Sequence, residues 1–295
     1  MGKLDERGGV DIAEIIVYLC FLATSIILVL RHGFTRKAGW LLILIFSLIR
    51  IIGSALHIAA ETIDSNNINI QIAAGIFESA GVSPLLGATL GFLGTVTQGS
   101  LDRDPIIARV IRAMGLLTTV ALVLSIVGGT QSGSTSSISD ANEGNTLRHV
   151  SVILFLVLYI LIVLLHGYFW RQRDLILKHR RQLLLGISLA LPFLGIRVLY
   201  MILSAFSPNV IAVPGATQPS RNSLSKFNTF TGEWQINFVM AVLMEVIVIG
   251  VYTVVGIMTP LSQDFDFEEE GRNRYGGDGD GYHGDMELRT SMIRG

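Results

Sequence analysis

Charge is what this sequence has least of. Asp, Glu, Lys and Arg make up 15% of its 295 residues, where soluble domains average about 25%. Apolar residues reach 51% and mean hydropathy is +0.57. Cysteine is nearly absent: Cys20 stands alone, inside the first apolar run. That excludes a disulfide within the chain and leaves any extracellular loops unstapled. A formal net charge of −1 offers no basic surface for nucleic acid. HExxH, GxSxG, P-loop and CxxC motifs are all missing, so the familiar hydrolase, nucleotide and redox signatures do not apply. His32 and His166 fall at one end of the apolar runs, and His57 and His149 at the other. No metal site or histidine-box chemistry is expected from that scatter. The last apolar run holds no lysine, which excludes a retinal Schiff base. No inverted repeat or matched pair of broken helices is evident, as many transporters would have. The reading therefore leans away from an enzyme and includes no cofactor.

Long apolar runs are what the chain does have. A bilayer core of about 30 Å needs about 20 mostly apolar residues of helix. Seven segments qualify: 10–30, 38–60, 68–96, 113–129, 149–170, 183–205 and 235–258. The fourth is the shortest. The runs are continuous rather than alternating, which favours helices over a closed barrel. The first lacks a small-residue cleavage site and exceeds a signal peptide's apolar core, so it reads as a retained signal-anchor. The fold class that follows is all-α, a polytopic seven-transmembrane helix bundle.

Basic residues set the orientation. Arg31, Arg36 and Lys37, then Arg103, Arg109 and Arg112, then Arg171, Arg173, Lys178, Arg180 and Arg181 all fall on one side. The other side holds Lys3, Arg7, Arg148, Arg221 and Lys226, spread over longer stretches. The richer side is assigned to the cytosol, so the N-terminus is outside and the C-terminus inside. Trp40, Trp170 and Trp234 fall at span ends, where interfacial anchors sit. The predicted organisation is an extracellular N-terminus over 1–9, a seven-helix domain over 10–258, and a cytosolic tail over 259–295. That tail carries nine acids against four arginines and is expected to be disordered. Its DGDG run lacks the spacing and terminal Glu of a calcium loop. The Ser/Gly/Asn-rich stretch 130–147 and the Pro-containing stretch 206–233 read as outer loops, the first mobile, either a solvated connector or a cover for a pocket. The chain integrates into a membrane, and the sequence does not separate plasma membrane from endomembrane.

Five ionisable residues lie well inside the apolar runs: Glu14, Arg50, Glu78, Arg197 and Glu245. Each costs about 2.5–3.5 kcal/mol facing lipid near a helix centre, so they are expected to face one another or a wet cavity. Helical rise places Arg50, Glu78 and Glu245 about 15 Å below the outer surface, Arg197 about 12 Å and Glu14 about 6 Å. Spans 2 and 3, and spans 6 and 7, are antiparallel neighbours, which makes Arg50–Glu78 and Arg197–Glu245 the natural pairs. Glu14 is then left over, with Asp11 one turn above it, and His57 lies two turns above Arg50. Two readings stay open: buried pairs that fix register, or the floor of an outward-opening ligand pocket. Gly75, Ser79, Ser83, Gly87, Gly91 and Thr95 recur every fourth residue in span 3, marking a central helix that neighbours approach closely. Pro84 and Pro192 are predicted to kink spans 3 and 6.

The segments GVDIAEIIVY (9–18), RHGFTRKAGW (31–40), SLIRIIGSALHIA (47–59), FESAGVSPLLGATLGFL (77–93), RAMGLL (112–117) and LPFLGIRVLY (191–200) resemble an uncharacterised family of fungal seven-span membrane proteins. The resemblance covers about residues 9–260 and implies that charges at the positions of Glu14, Arg50, Glu78 and Arg197 are typical. It implies a fold and no ligand. The topology is also similar to that of G-protein-coupled receptors. However, LDRDP (101–105) departs from the acid–Arg–aromatic switch, and VGIMTP departs from the span-7 Asn-Pro-x-x-Tyr pattern. Three functions follow. A receptor-like sensor for a small ligand from outside comes first. The alternatives are a transporter or lipid-handling protein, which would need polar groups through the inner half, and a scaffold. Expected partners are membrane lipids, that small ligand, and a cytosolic protein through 171–182 or the tail.

Overall fold

The computed structural model describes residues 6–32, 38–62, 68–97, 105–132, 138–173, 178–207, 223–228 and 232–258. In apolar surroundings a backbone must satisfy its own hydrogen bonds, and the described residues do so as helices. They are α1 (Glu6–His32), α2 (Ala38–Thr62), α3 (Ile68–Ala80), α4 (Val82–Thr97), α5 (Pro105–Ser132), α6 (Ile138–Arg171) and α7 (Lys178–Ala205). After a short 3-10 turn at Ser223–Phe227 come α8 (Trp234–Asn237), a π-helical stretch Phe238–Leu243, and α9 (Met244–Met258). With α3–α4 counted together, and α8 through α9 together, seven helical units are long and apolar enough to cross a bilayer. Their outer surfaces carry large apolar side chains, with Leu30 73%, Ile106 66% and Leu164 63% exposed. A soluble fold would bury these; here they suit hydrocarbon. The acidic tail lies outside the described residues.

The ends of the spans differ from the sequence expectation. The fourth runs over Pro105–Ser132 and the fifth over Ser139–Arg171, so most of the supposed loop 130–147 is helix. Glycine explains the extension. A Cβ at Gly128 would stand 2.7 Å from the Arg148 backbone nitrogen, and one at Gly144 would strike Gln131 and Ser132. Without side chains there, α5 and α6 continue past the apolar zone as a tight antiparallel pair.

The third span is the most enclosed of the seven, in keeping with its stripe of small residues, and α4 packs against α2, α5, α6 and α7. Several hydroxyls inside the bundle bond back along their own helix, as Ser47 does to the Ile43 carbonyl and Thr89 to Leu85. The third span is interrupted at Gly81, three residues before Pro84, and α7 is a single helix with Pro192 inside it.

Trp40 is a correction. It is 2% exposed and belongs to the core, not to an interfacial belt. Its indole stacks edge-on to Phe92 at 4.6 Å, and Phe92 meets Tyr252 at 4.9 Å. Gly256 leaves the space the indole fills, since a Cβ there would overlap it. Tyr252 closes the seam with a 2.8 Å hydrogen bond to Thr89.

That seam makes a packing prediction. Gly256→Val is expected to cost about 1–3 kcal/mol by overpacking, read as a lower thermal midpoint in detergent. Gly250→Val, whose Cβ would meet nothing within 4 Å, should leave the midpoint close to wild type.

Candidate functional site: a buried clasp beneath an open cavity

Helical spacing brings the polar residues of α1 and α2 onto facing stripes. On α1, Arg7, Asp11, Glu14 and Tyr18 recur every three or four residues. On α2, Phe46, Arg50, Ser54 and His57 do the same. Both stripes turn toward Glu245, at the start of α9.

Glu245 is fully buried and collects donors from three helices. Its Oε1 accepts from Arg197 Nε on α7. Its Oε2 forms an ion pair with Arg50 on α2 and accepts a 3.3 Å hydrogen bond from the Tyr18 hydroxyl on α1. Both arginines are themselves buried, at 5% and 2% exposure. Each also lies near an aromatic ring on its own helix, Arg50 over Phe46 at 5.8 Å and Arg197 over Tyr200 at 5.7 Å. One carboxylate between two guanidiniums is a pairing that a low-dielectric interior sustains only where opposite charge and hydrogen bonds offset the loss of water.

This revises the expected partners. Arg197 does meet Glu245, but Arg50 pairs with Glu245 as well, and not with Glu78. Glu78 contributes its main chain instead: its carbonyl accepts from Arg197 Nη2 at 3.4 Å. The reason lies at the break in the third span. The turn at Gly81 and the missing N–H of Pro84 strip carbonyls of the α3 end of their helical donors, and Arg197 reaches one of them. The same arginine thus secures the break and the clasp. Glu14 is 7% exposed and accepts a 2.6 Å hydrogen bond from Ser54. His57 Nδ1 stands 3.3 Å from Asp11, a turn or more above the clasp. Tyr18 and Ser54 were not singled out from sequence, although each stands one turn from a residue that was.

Above the clasp lies a cavity of about 610 Å³ including its mouth. Glu14, Arg50, Ser54, His57 and Glu78 line it, together with Asp11, Arg7, Phe77, and Trp234, Asn237 and Phe238 at the start of the last span. Of the expected set, four residues meet at this cavity besides His57 or stand just beneath it, and Arg197 opens onto a neighbour. That second cavity, about 360 Å³ with the open solvent at its mouth included, is lined by Glu78, Ser79, Ser125, Arg148, Arg197 and Tyr200 among others. Glu78 borders both. Among the described residues no group of His, Cys, Asp or Glu has the geometry to hold a metal.

Compared with known proteins, the chain matches one family model, described as "Domain of unknown function (DUF7702)", over residues 4–262. No curated protein matches it, and neither does any solved structure.

The shared carboxylate predicts an order of damage. Glu245→Gln removes the acid from both arginines and is expected to cost about 3–5 kcal/mol, the usual loss when a buried pair is broken from one side. Arg50→Met leaves Arg197–Glu245 in place and should cost less. Abundance and thermal midpoints in detergent measure both. Reversing charge at Arg50 and Glu78 together (Arg50→Glu with Glu78→Arg) should not rescue the single variants; rescue would contradict the pairing described.

Proposed function

We propose that this chain, which belongs to the family described as Domain of unknown function (DUF7702), is a receptor-like membrane sensor. In this reading a small polar ligand enters the cavity above the Glu245 clasp, and its presence is passed to the helices that the clasp joins. The membrane setting itself rests on seven helices of sufficient length and hydropathy.

One observation carries the reading. Trp234, Asn237 and Phe238 line the cavity, and the π-helical stretch Phe238–Leu243 leads from them to Glu245. A π-helical turn holds an extra residue and is common where a helix must adjust at a functional site. A ligand pressing on Trp234 or Phe238 acts directly on this π-helical stretch. Two residues later stands the carboxylate that ties α1, α2 and α7 together.

Sidedness supports the same reading. Arg109, Arg112, Arg171, Arg173, Lys178 and Arg181 gather at the end of the bundle opposite the cavity. By the distribution of basic residues that end is cytosolic, so the cavity opens outward, with the N-terminus outside. Transport is the weaker alternative. A path beyond Glu245 would have to cross Phe46, Trp40, Phe92 and Tyr252, all buried and closely packed.

Glu14 tests the proposal because it faces the cavity without belonging to the clasp. Cells lacking the chain are compared with cells carrying wild type or Glu14→Gln, by transcript profile across a panel of growth conditions and by protein abundance. The sensor reading expects Glu14→Gln at wild-type abundance with the profile of the deletion. A Glu14→Gln profile matching wild type, or a deletion that changes no profile, contradicts it.

A further inference from the structure

We infer that the cavity binds an organic cation, a protonated amine on a compact apolar body, seated between the carboxylates of Glu14 and Glu78 and the rings of Phe77, Trp234 and Phe238. This rests on reading the cavity as a ligand site, and it adds the ligand's chemical class.

The inference comes from following each charge at the cavity to its partner. Three basic side chains line it, and all three are directed to other groups. Arg50 is turned down to Glu245. Arg7 donates to the main-chain carbonyl of Gly232. His57 stands against Asp11. The acids are not matched in the same way. Asp11 has His57, but neither Glu14 nor Glu78 has a basic nitrogen of a described residue within ion-pair distance. Arg50 acts on Glu14 and Glu78, and Arg148 on Glu78, only from beyond that distance, Arg148 lining the second cavity with Glu78.

Glu14 is the more telling of the two. A carboxylate 7% exposed, in a span, with one hydroxyl as its hydrogen-bond partner, is incompletely compensated. Ser54 holds it in place without neutralising it. A cation arriving from the mouth of the cavity supplies the missing charge and meets Glu78 on the same wall. An anion would meet the two carboxylates, while Arg50 is ion-paired to Glu245 and Arg7 is bonded to the Gly232 carbonyl.

The rest of the wall suits the same guest. Phe77, Trp234 and Phe238 border the cavity, and an aromatic face attracts a cation through its quadrupole, most strongly when the site is sheltered from water. The same rings accept an apolar body beside the ammonium. Acid on one side and rings on the other distinguish an amine from a metal ion, which would call for several oxygen ligands around one point.

Three probes of one shape separate the classes: 2-phenylethylammonium, 2-phenylethanol and phenylacetate. Each is titrated into the full chain in lipid nanodiscs while the thermal midpoint and tryptophan emission are followed. The ammonium probe is expected to bind, the alcohol more weakly, and phenylacetate not at all. Glu14→Gln should weaken the ammonium probe by about ten- to a hundredfold, as for loss of a charge-assisted hydrogen bond. Glu78→Gln, at a half-buried position, should weaken it too and serves if the Glu14 variant does not fold. Glu143→Gln, exposed on α6, should leave it unchanged. Equal or tighter binding of the alcohol or of phenylacetate would overturn the cation assignment and leave the sensor reading standing. No response to the ammonium at millimolar concentration also rejects the cation. The comparison of cell profiles decides the sensor reading separately.

Discussion

Everything in this bundle is arranged around one carboxylate that water does not reach. Glu245 is held by guanidiniums from α2 and α7 and a phenol from α1. Removed from water, each of these charges would cost several kcal/mol by itself; together they compensate one another only if four helices keep their positions. The clasp therefore acts as a registry device. It fixes the height of α1, α2, α7 and α9 relative to each other, a task that apolar side chains in an apolar solvent perform poorly, because lipid and protein offer them similar contacts.

Beneath the clasp, registry passes from charge to shape. The Trp40–Phe92–Tyr252 seam depends on Gly256 and Gly39 having no side chain: a Cβ at Gly39 would come within 2.6 Å of Phe92. Small residues and large rings alternate there, so α2, α4 and α9 lock at close range. Above the clasp the bundle is open and polar. The two departures from regular α-helix near this level, the turn at Gly81 and the π-helical stretch at Phe238–Leu243, sit on either side of the same cavity. Arg197 secures the first by bonding the Glu78 carbonyl, and Glu245 anchors the second from below. Among the described residues, both of these irregular helical segments border the cavity.

The contrast between sequence and structure is sharpest for Arg50, Trp40 and the α5–α6 connection. Arg50 was legible as a residue that must turn inward, because its cost in lipid depends on residue type and depth alone. Its partner was not legible. Loop connectivity made Glu78 the nearer candidate, but the turn at Gly81 redirects α3, and Glu245 on another span receives the bond. Trp40 has the sequence position of an interfacial anchor and the structural position of a core residue, a difference set by a glycine 216 positions away on α9. The stretch 138–147 is polar in composition yet helical, because Gly128 and Gly144 let it lie against α5.

By itself the sequence determined the helical class, the number of apolar spans and the inward turn of Glu14, Arg50, Arg197 and Glu245. These follow from local quantities: run length against bilayer thickness, and the cost of a charge in hydrocarbon. Tertiary structure alone decided that one acid would serve two arginines, that Tyr18 and Ser54 would join them, and that Trp234 and Phe238 would wall the same cavity. Those choices depend on the rotation of each helix about its axis. Rotation is set by contacts between spans far apart in the chain, and no local pattern encodes it.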